Sequence, residues 1–517
     1  MTAGSRNLPE AQMPDNRIFK WLDAFKATVP GQSLSALENR PNVPSHAELR
    51  VNSQQIQTGD VFLAIQGHSN HGRQYIRQAL QQGAALVLTD AWPDDVDAAL
   101  EQDPRVLYWP ALSAVLPAVI QRFYHDAVTD MALYGITGTN GKSSTAIFIH
   151  QLTELLQQPS AVIGTLGYGH YQALTPLANT TPHLTELHRI FAQMQQQGRS
   201  HIAMEVSSHA MTQQRVAGLQ FACAVFTNLT RDHLDYHGTM QAYGEAKALL
   251  FKPQQADKVV INVSDAFGRA LAAQCTQPLL AYGRLADCQT YEHYLGYDEL
   301  RADGHGFRLR LYSHLGDFQL QIPLLAEFNV QNVLAAMGAL LMQGWSLPRL
   351  VQAAAQLKPV PGRMEQWRFP DDVSVVVDYA HTPDALQQSL QALRQQCQGH
   401  LWCVFGCGGD RDKGKRPLMG QIAERFADHV IITADNPRTE SVDAICQDIV
   451  AGMTTAANCQ IEPDRERAIK LALIEAHRHD MILVAGKGHE NYQIIGQYSR
   501  DYDERRYIDQ LHAEMSR

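Results

Sequence analysis

The chain has 517 residues, 45% hydrophobic and 19% charged, with a formal net charge of −10. That length is long for one core and points to three or four units at about 150 residues each. The acidic balance argues against a general nucleic-acid binder, which would carry a basic face. Eight scattered cysteines include no CxxC pair, so they read as buried or loop thiols of a protein kept in a reducing cytoplasm. The N-terminal stretch lacks an apolar signal core and no run of 18 apolar residues occurs. The expectation is a soluble cytoplasmic protein with no transmembrane segment.

Residues 1–111 read as a first, small α/β unit. A strand-like run at 60–65 leads into a loop at 67–72. A helical pattern at 73–82 and a buried-strand run at 84–88 follow. A middle unit, 112–360, opens with a helix. An apolar run at 131–136 then enters Gly138-Thr139-Asn140-Gly141-Lys142-Ser143-Ser144, and a helical pattern covers 145–156. Strand, glycine turn, Lys-Ser and helix is how backbone wraps a phosphate. Glycines let N–H groups face the anion, and the helix offers its positive end. Lys142 would reach the outer phosphates and Ser143 could ligate Mg²⁺. The spacing is one residue off the common pattern, since Ile136 stands where the first glycine is expected. Strand candidates at 201–205, 223–227 and 258–262 each end in a polar cluster. Alternating segments at 307–311 and 318–322, with Gly316-Asp317 between them, predict an antiparallel hairpin.

The last unit, 361–517, has four apolar runs at 373–377, 401–405, 429–433 and 481–485, spaced by helical patterns. This is the signature of a parallel sheet wound by helices. After the runs come the polar loops 378–383, 406–417, 435–438 and 486–490. Wound sheets bind ligands beyond the C-terminal ends of their strands.

Several side chains have both a bland and a chemical reading. Glu205 and His233 follow strands of the middle unit; they either cap helices or assist a metal, Glu205 being the more natural partner for Mg²⁺. Lys247, on an amphipathic stretch at 243–251, reads as a solvated surface lysine. The 408–416 loop is dense in both charges. It is either a solvated, flexible loop or an anion clamp built on Arg411. Arg438 has the same potential on a stiffer backbone, because Pro437 holds Asn436 extended.

Taken together these segments resemble the Mur ligase family of ATP-dependent amide-forming enzymes, over about residues 45–500. The likeness rests on 138–144, Asn179-Thr180-Thr181-Pro182, 205–210, 227–235, 243–251, 328–332, Gly362-Arg363, 378–385, 406–417 and 486–490. It implies three α/β domains: a small N-terminal UDP-sugar domain, a central ATPase-like domain with a mainly parallel sheet, and a C-terminal Rossmann-like domain. The implied cofactors are ATP and Mg²⁺. The run Asp435-Asn436-Pro437-Arg438 is narrower and resembles the signature of the members that add meso-2,6-diaminopimelate, so the implied partners are UDP-N-acetylmuramoyl-L-alanyl-D-glutamate and meso-2,6-diaminopimelate, with a monomer expected. Residues 138–144 would hold ATP phosphates, with Asn329, Arg363 and Asp378 near the nucleotide. Lys142, Glu205, His233 and Lys247 would be catalytic. Ser143, Glu205, His233 and a carbamylated Lys247 would support the metal, a role for Lys247 that only the resemblance suggests. Val51, Ser53, His68, Ser69, Asn70, Asn179, Thr180, Thr181, Ser207, Gln213 and Arg215 would line the sugar-peptide site. Arg411, Asp435, Asn436, Pro437, Arg438, Gly486 and Glu490 would line the diaminopimelate site. Two departures stand in the first domain: Asn52-Ser53-Gln54 replaces a common Asp-Ser-Arg, and His71 replaces an aspartate. The related folylpolyglutamate synthetases share the phosphate loop and amide chemistry, but 179–182 and 435–438 argue against that reading.

Overall fold

A computed structural model describes residues 43–515 other than 45, 68–69 and 303–305, together with Phe25. The candidates His68 and Ser69 lie outside the described residues. The described residues form two compact units: those up to 131 with 182–200 and 212–219, and those of 132–181 with 201–211 and 220–515.

The first unit holds a four-stranded parallel sheet of Leu49–Arg50, Val61–Ala64, Leu86–Thr89 and Val106–Tyr108. Its strands read as continuous apolar runs because helices cover them. The sequence expectation opened the middle domain at 112, but the helix Leu112–Phe123 belongs to this unit. Its Leu112, Val119 and Ile120 join the core around Leu63, Leu88 and Trp109.

The second unit contains two large sheets and a two-stranded one, Tyr492–Ile495 with Tyr498–Asp501. In the larger, Ala132–Thr137 lies between His201–Glu205 and Cys223–Phe226, parallel to both. Val259–Asn262, Leu279–Arg284 and His293–Tyr297 continue the parallel run outward. The expected hairpin forms between Phe307–Ser313 and Phe318–Ile322, in antiparallel register Leu309↔Leu320. On the other side Ser160–Gly164 pairs antiparallel with Gly167–His170, which pairs with Ala173–Thr175. The helices Lys142–Leu155 and Glu327–Met342 contribute much of the core beside this sheet, through Ile147, Leu152, Val333 and Leu340.

The smaller sheet runs Glu365–Arg368, Ser374–Asp378, Met481–Ala485, Leu401–Phe405, His429–Ile432, Cys459–Ile461. All pairs are parallel except the first. The last parallel strand in sequence, Met481–Ala485, inserts between Ser374–Asp378 and Leu401–Phe405. That reversal of winding direction is where a wound sheet opens a ligand crevice at its C-terminal edge. Both sheets together give the mixed, parallel-rich α/β architecture anticipated from the apolar runs.

Candidate functional site

The first part of the site is the turn after Ala132–Thr137. Gly138 (φ +154°) and Gly141 (φ +83°) adopt conformations that side chains resist. A Cβ on Gly138 would lie 1.8 Å from Thr227 Oγ1, and one on Gly141 2.4 Å from Asn332 Oδ1. The 227–230 loop braces this turn. Thr139 N donates to Asn228 O at 2.8 Å, Asn140 N donates to Asn228 Oδ1 at 2.9 Å, and Thr227 Oγ1 donates to Asn140 O at 2.6 Å. Thr139 Oγ1 accepts from Thr230 N at 2.9 Å. Ser143 and Ser144 are buried in the first helical turn.

Two lysines converge beneath the turn. Lys142 Nζ curls back to donate to Gly138 O at 3.0 Å and Thr139 O at 2.8 Å. Burial lowers its pKa, which nearby Glu205 and Asp232 partly offset. Lys247 is only 1% exposed, which corrects its reading as a solvated surface lysine. It sits on the helix Met240–Ala248, capped by Thr239 accepting from Ala242 N. Its Nζ donates to the same Gly138 O at 2.8 Å and lies 4.3 Å from the Tyr243 ring centroid. Burial first, and Lys142 second, push the Lys247 ammonium well below its ordinary range, with Asp232 pulling the other way.

Glu205, 2% exposed, ends the strand His201–Glu205. Its Oε1 accepts from Thr165 N at 2.9 Å and its Oε2 from Thr165 Oγ1 at 3.2 Å. Gly164 leaves room for it, since a Cβ there would meet Oε1 at 2.3 Å. Thr181 Oγ1 donates to Glu205 O at 2.9 Å and accepts from Ser207 N at 3.1 Å, while Thr180 Oγ1 lies 3.1 Å from Thr165 Oγ1. So Thr180, Thr181, Glu205 and Ser207 form one hydrogen-bonded patch, and Asn179 is half-buried next to it in sequence. His233 is half-exposed, in a left-handed conformation (φ +51°), with Nε2 3.4 Å from Asp232 Oδ2. Its ring packs edge-on against His209, 5.1 Å between centroids.

The helix Glu327–Met342 and the start of the smaller sheet supply the nucleotide candidates. Asn329 Nδ2 donates to Leu325 O at 2.8 Å, and its Oδ1 accepts from Asn332 Nδ2 at 3.2 Å. Asp378 accepts from Met364 N at 3.0 Å and Ser389 Oγ at 2.8 Å. The Arg363 guanidinium lies over the Tyr379 ring at 4.6 Å.

At the C-terminal edge of the smaller sheet the 435–438 and 486–490 loops interlock. Asn436 Nδ2 donates to Glu490 Oε2 at 2.9 Å, and Asn436 Oδ1 accepts from Ile494 N at 3.0 Å. Lys487, fully buried, binds Glu490 Oε2 at 3.1 Å and Asn436 Oδ1 at 3.2 Å. Gly486 (φ +117°) lets Asp435 approach, since a Cβ there would lie 2.7 Å from Asp435 Oδ2. Arg438 (φ +50°) donates from Nη1 to Gly409 O at 2.8 Å, and its backbone pairs with 494–496. Pro437 is buried beside it.

The 408–416 loop carries the exposed Arg411 but is anchored, unlike the solvated alternative. Arg416, fully buried, donates to Glu440 at 2.8 and 3.0 Å and to Asp448 at 2.8 Å. Asp410 N–H also donates to Glu440.

In the first unit, Val51 and Asn70 are exposed, while Ser53 is buried and donates to Gln78 Oε1 at 3.0 Å. Arg215 donates to Gln213 Oε1 at 2.6 and 3.0 Å. The departing residues also have partners: His71 Nε2 is 3.2 Å from Asp90 and Asn52 caps Gln54 N.

Sequence reasoning missed Thr165, Asp232, Tyr243, Lys487 and Arg416 as parts of this arrangement. Asp232, Tyr243, Lys487 and Arg416 lie inside segments already singled out, so their signal was present. Thr165, in a Gly-Thr-Leu-Gly turn, offered none.

The segment 47–124 matches the Mur ligase family catalytic domain, 136–340 the Mur ligase middle domain, and 362–488 the Mur ligase glutamate ligase domain. A UDP-N-acetylmuramoyl-L-alanyl-D-glutamate–2,6-diaminopimelate ligase of Vibrio vulnificus (strain YJ016) is 44% identical over 469 residues, covering 90% of this chain and 94% of its own. A solved structure of a ligase of the same name is 34% identical with a TM-score of 0.68, covering 91% and 95%. The MurF ligase of Thermotoga maritima, solved with ADP, shares the fold at 17% identity and a TM-score of 0.57, covering 85% and 93%. Three consecutive domain matches and a relative this similar along nearly the whole length lead to one conclusion: the chain belongs to the Mur ligase family.

Proposed function

We propose that this protein joins meso-2,6-diaminopimelate to UDP-N-acetylmuramoyl-L-alanyl-D-glutamate at the expense of ATP, for peptidoglycan synthesis. The observation that carries this reading is the pairing, within one unit, of a braced phosphate turn over Lys142 and Lys247 with the interlocked Asn436–Arg438 and Lys487–Glu490 loops. The first suits a triphosphate; the second offers both signs of charge, as an amino acid with a distal ammonium and carboxylate requires.

The chemistry begins by bringing two anions together. The acceptor carboxylate oxygen bonds the terminal phosphorus, the phosphoanhydride bond breaks, and ADP leaves. At about 4 Å and an effective dielectric near 20, each like-charge pair costs roughly 4 kcal/mol. Lys142 offsets this by releasing Gly138 O and Thr139 O and turning to the phosphates. The incoming amine then bonds the acyl carbon, the carbon–oxygen bond to phosphate breaks, and the amine's spare proton passes to solvent or a base. Water must be excluded while the acyl phosphate exists.

Mg²⁺ fits Ser143 and Glu205, which are hard oxygen ligands; a carbamate formed on Lys247 would add a third, with His233 at the edge. When bound, it would neutralise charge on the phosphates. Carbamylation suits Lys247 because burial favours its neutral amine, the form that attacks carbon dioxide. Arg438 and Arg411 pair with the distal carboxylate of diaminopimelate, and Glu490 suits the distal ammonium. A lysine substrate leaves those arginines without an anion.

The test is ADP release measured with the UDP-linked dipeptide and a panel of amino acids. Release dependent on both the dipeptide and diaminopimelate supports the assignment; equal release with lysine overturns it. Oxygen-18 placed in the acceptor carboxyl should appear in the inorganic phosphate.

A further inference from the structure

Beneath the amino-acid half of the site lies a buried ion pair that belongs to none of the nucleotide, sugar-peptide or diaminopimelate candidates. Arg465 and Glu504 are both fully buried, and Arg465 Nε donates to Glu504 Oε2 at 2.6 Å. Arg465 opens the helix Arg465–Glu475, and Glu504 opens the helix Glu504–Met515, past the matched segment 362–488. The rest of the guanidinium faces backbone. Nη2 donates to Ala485 O at 2.8 Å, and Nη1 donates to Ala434 O at a longer 3.5 Å.

The position of those two carbonyls is what matters. Ala434 immediately precedes the 435–438 loop, and Ala485 immediately precedes the 486–490 loop. Their strands, His429–Ile432 and Met481–Ala485, are not neighbours, because Leu401–Phe405 runs between them. Strands two places apart lie roughly 9–10 Å from each other, so no ladder hydrogen bond joins their ends. Gly406, just past the intervening strand, leaves room for the outer chains to approach, since a Cβ there would lie 2.1 Å from Thr433 O. The guanidinium fork then bridges them. Further along the same loops, Asn436 Nδ2 and Lys487 Nζ meet at Glu490 Oε2. The two loops are thus tied twice, once through their own side chains and once at their roots.

Stability alone does not call for these residue types. A cation in the first turn opposes the helix dipole. A buried ion pair carries a desolvation cost that a well-packed apolar pair avoids. Glu504 Oε1 has no hydrogen-bond partner among the described residues, which adds to that cost. What an apolar pair cannot do is donate to two carbonyls from one rigid fork. We infer that Arg465, held by Glu504, is a positioning residue for amino-acid recognition: it sets the spacing between the loop that carries Arg438 and the loop that carries Glu490. The inference rests on the ligase reading, in which those two side chains take the distal carboxylate and ammonium of diaminopimelate. A shift of about 1 Å in such a pair can cost on the order of 10²-fold in turnover.

The experiment compares full-length wild type, Arg465→Lys, and a double variant carrying Arg465→Met and Glu504→Met. ADP release is followed as diaminopimelate or lysine is varied, with ATP affinity by isothermal titration and thermal melting alongside. The double variant removes both buried charges together, so it should melt near the wild-type temperature. Arg465→Lys keeps the cation but loses the fork, and it carries the comparison if the double variant melts early. Both should raise KM for diaminopimelate by about 10-fold or more, narrow the preference for diaminopimelate over lysine by a similar factor, and leave ATP affinity unchanged. A wild-type KM in either variant, or a loss of ATP affinity that parallels the rise in KM, would overturn the inference while leaving the ligase reading in place. Wild type that releases no ADP in response to diaminopimelate would instead refute the ligase reading, and this inference with it.

Discussion

Two buried lysines lie in the two halves of the candidate site, and their company differs. Lys247 spends its hydrogen bond on Gly138 O, faces the Tyr243 ring, and has a second cation, Lys142, nearby. Lys487 is equally buried, but Glu490 lies 3.1 Å away and Asn436 3.2 Å away. Burying an ammonium without a contacting carboxylate favours the neutral amine, which is chemically reactive. Burying one against a carboxylate fixes that carboxylate's direction, and removing either partner leaves an uncompensated charge. One half thus holds a lysine whose environment favours the neutral amine, and the other a lysine that aims its neighbours.

If the halves work separately, each can be damaged alone. Arg438→Ala removes the guanidinium expected to meet the distal carboxylate. Its kcat/KM for diaminopimelate should fall by about 10⁴-fold, the scale on which unpaired polar sites discriminate. Its ATP affinity, read by isothermal titration, should stay unchanged; equal loss of both would merge the halves.

Lys247→Arg keeps a hydrogen-bond donor under the turn but cannot form a carbamate. ADP release should drop by roughly 10³-fold, as when one preorganised electrostatic contact is lost. Wild-type activity should also fall in carbon dioxide-free buffer and return with bicarbonate. The sign of the stability effect follows from the depressed native pKa. Between that value and the ordinary 10.5, the unfolded chain holds a proton that the native chain does not. Wild-type stability therefore gains from rising pH across that window, and Lys247→Met should flatten the gain in denaturant titrations.

Lys487→Met removes the cation that orients Asn436 and Glu490 without touching Arg438. The expected consequence is a rise of about 10-fold or more in KM for diaminopimelate, the range for losing a supporting partner of a ligand, with ATP binding intact. An unchanged KM would mean that Asn436 and Ile494 alone hold the loop.

The same two lysines show where sequence reading succeeds. The parallel strands were readable because a continuous apolar run that ends in a polar cluster fits a buried strand and little else; His201–Glu205, Leu401–Phe405 and Met481–Ala485 fall where the runs do. Gly167–His170 and the pair Tyr492–Ile495 and Tyr498–Asp501 were not, because Gly-Tyr-Gly-His and a half-exposed hairpin lack that pattern. The 138–144 turn was readable as a glycine turn from strand to helix, since Ala132–Thr137 and Lys142–Leu155 follow from the apolar run and the helical pattern on either side. Burial of Lys247 was not, because helical amphipathicity does not reveal that Gly138 O waits above it; resemblance to the family supplied that residue. Arg416 was hidden by its neighbours: a charged run looks uniformly solvated until Glu440 and Asp448 arrive from 24 and 32 residues away.

His489 stands beside both halves and provides the mildest test. Its ring lies 4.8 Å from Tyr379, and its Nδ1 is buried with no hydrogen-bond partner among the described residues. Burial, reinforced by Arg363 and Arg505, lowers its pKa to about 3 from an ordinary 6.5. As pH falls from 6.5 toward 3, the unfolded chain takes up a proton that the native chain refuses, so this residue costs stability progressively across that window. The melting temperature of the ligand-free protein should therefore decline from pH 7 to pH 5. Part of that decline should vanish in His489→Gln, which cannot titrate. His188, lowered to about 4 by burial alone, contributes to the same limb and is unaffected by the substitution. Because Arg363 helps repel the proton, bound nucleotide should offset that field and shrink the difference between wild type and variant, whereas diaminopimelate alone should not. A difference that ignores nucleotide would assign the depressed value to burial by itself.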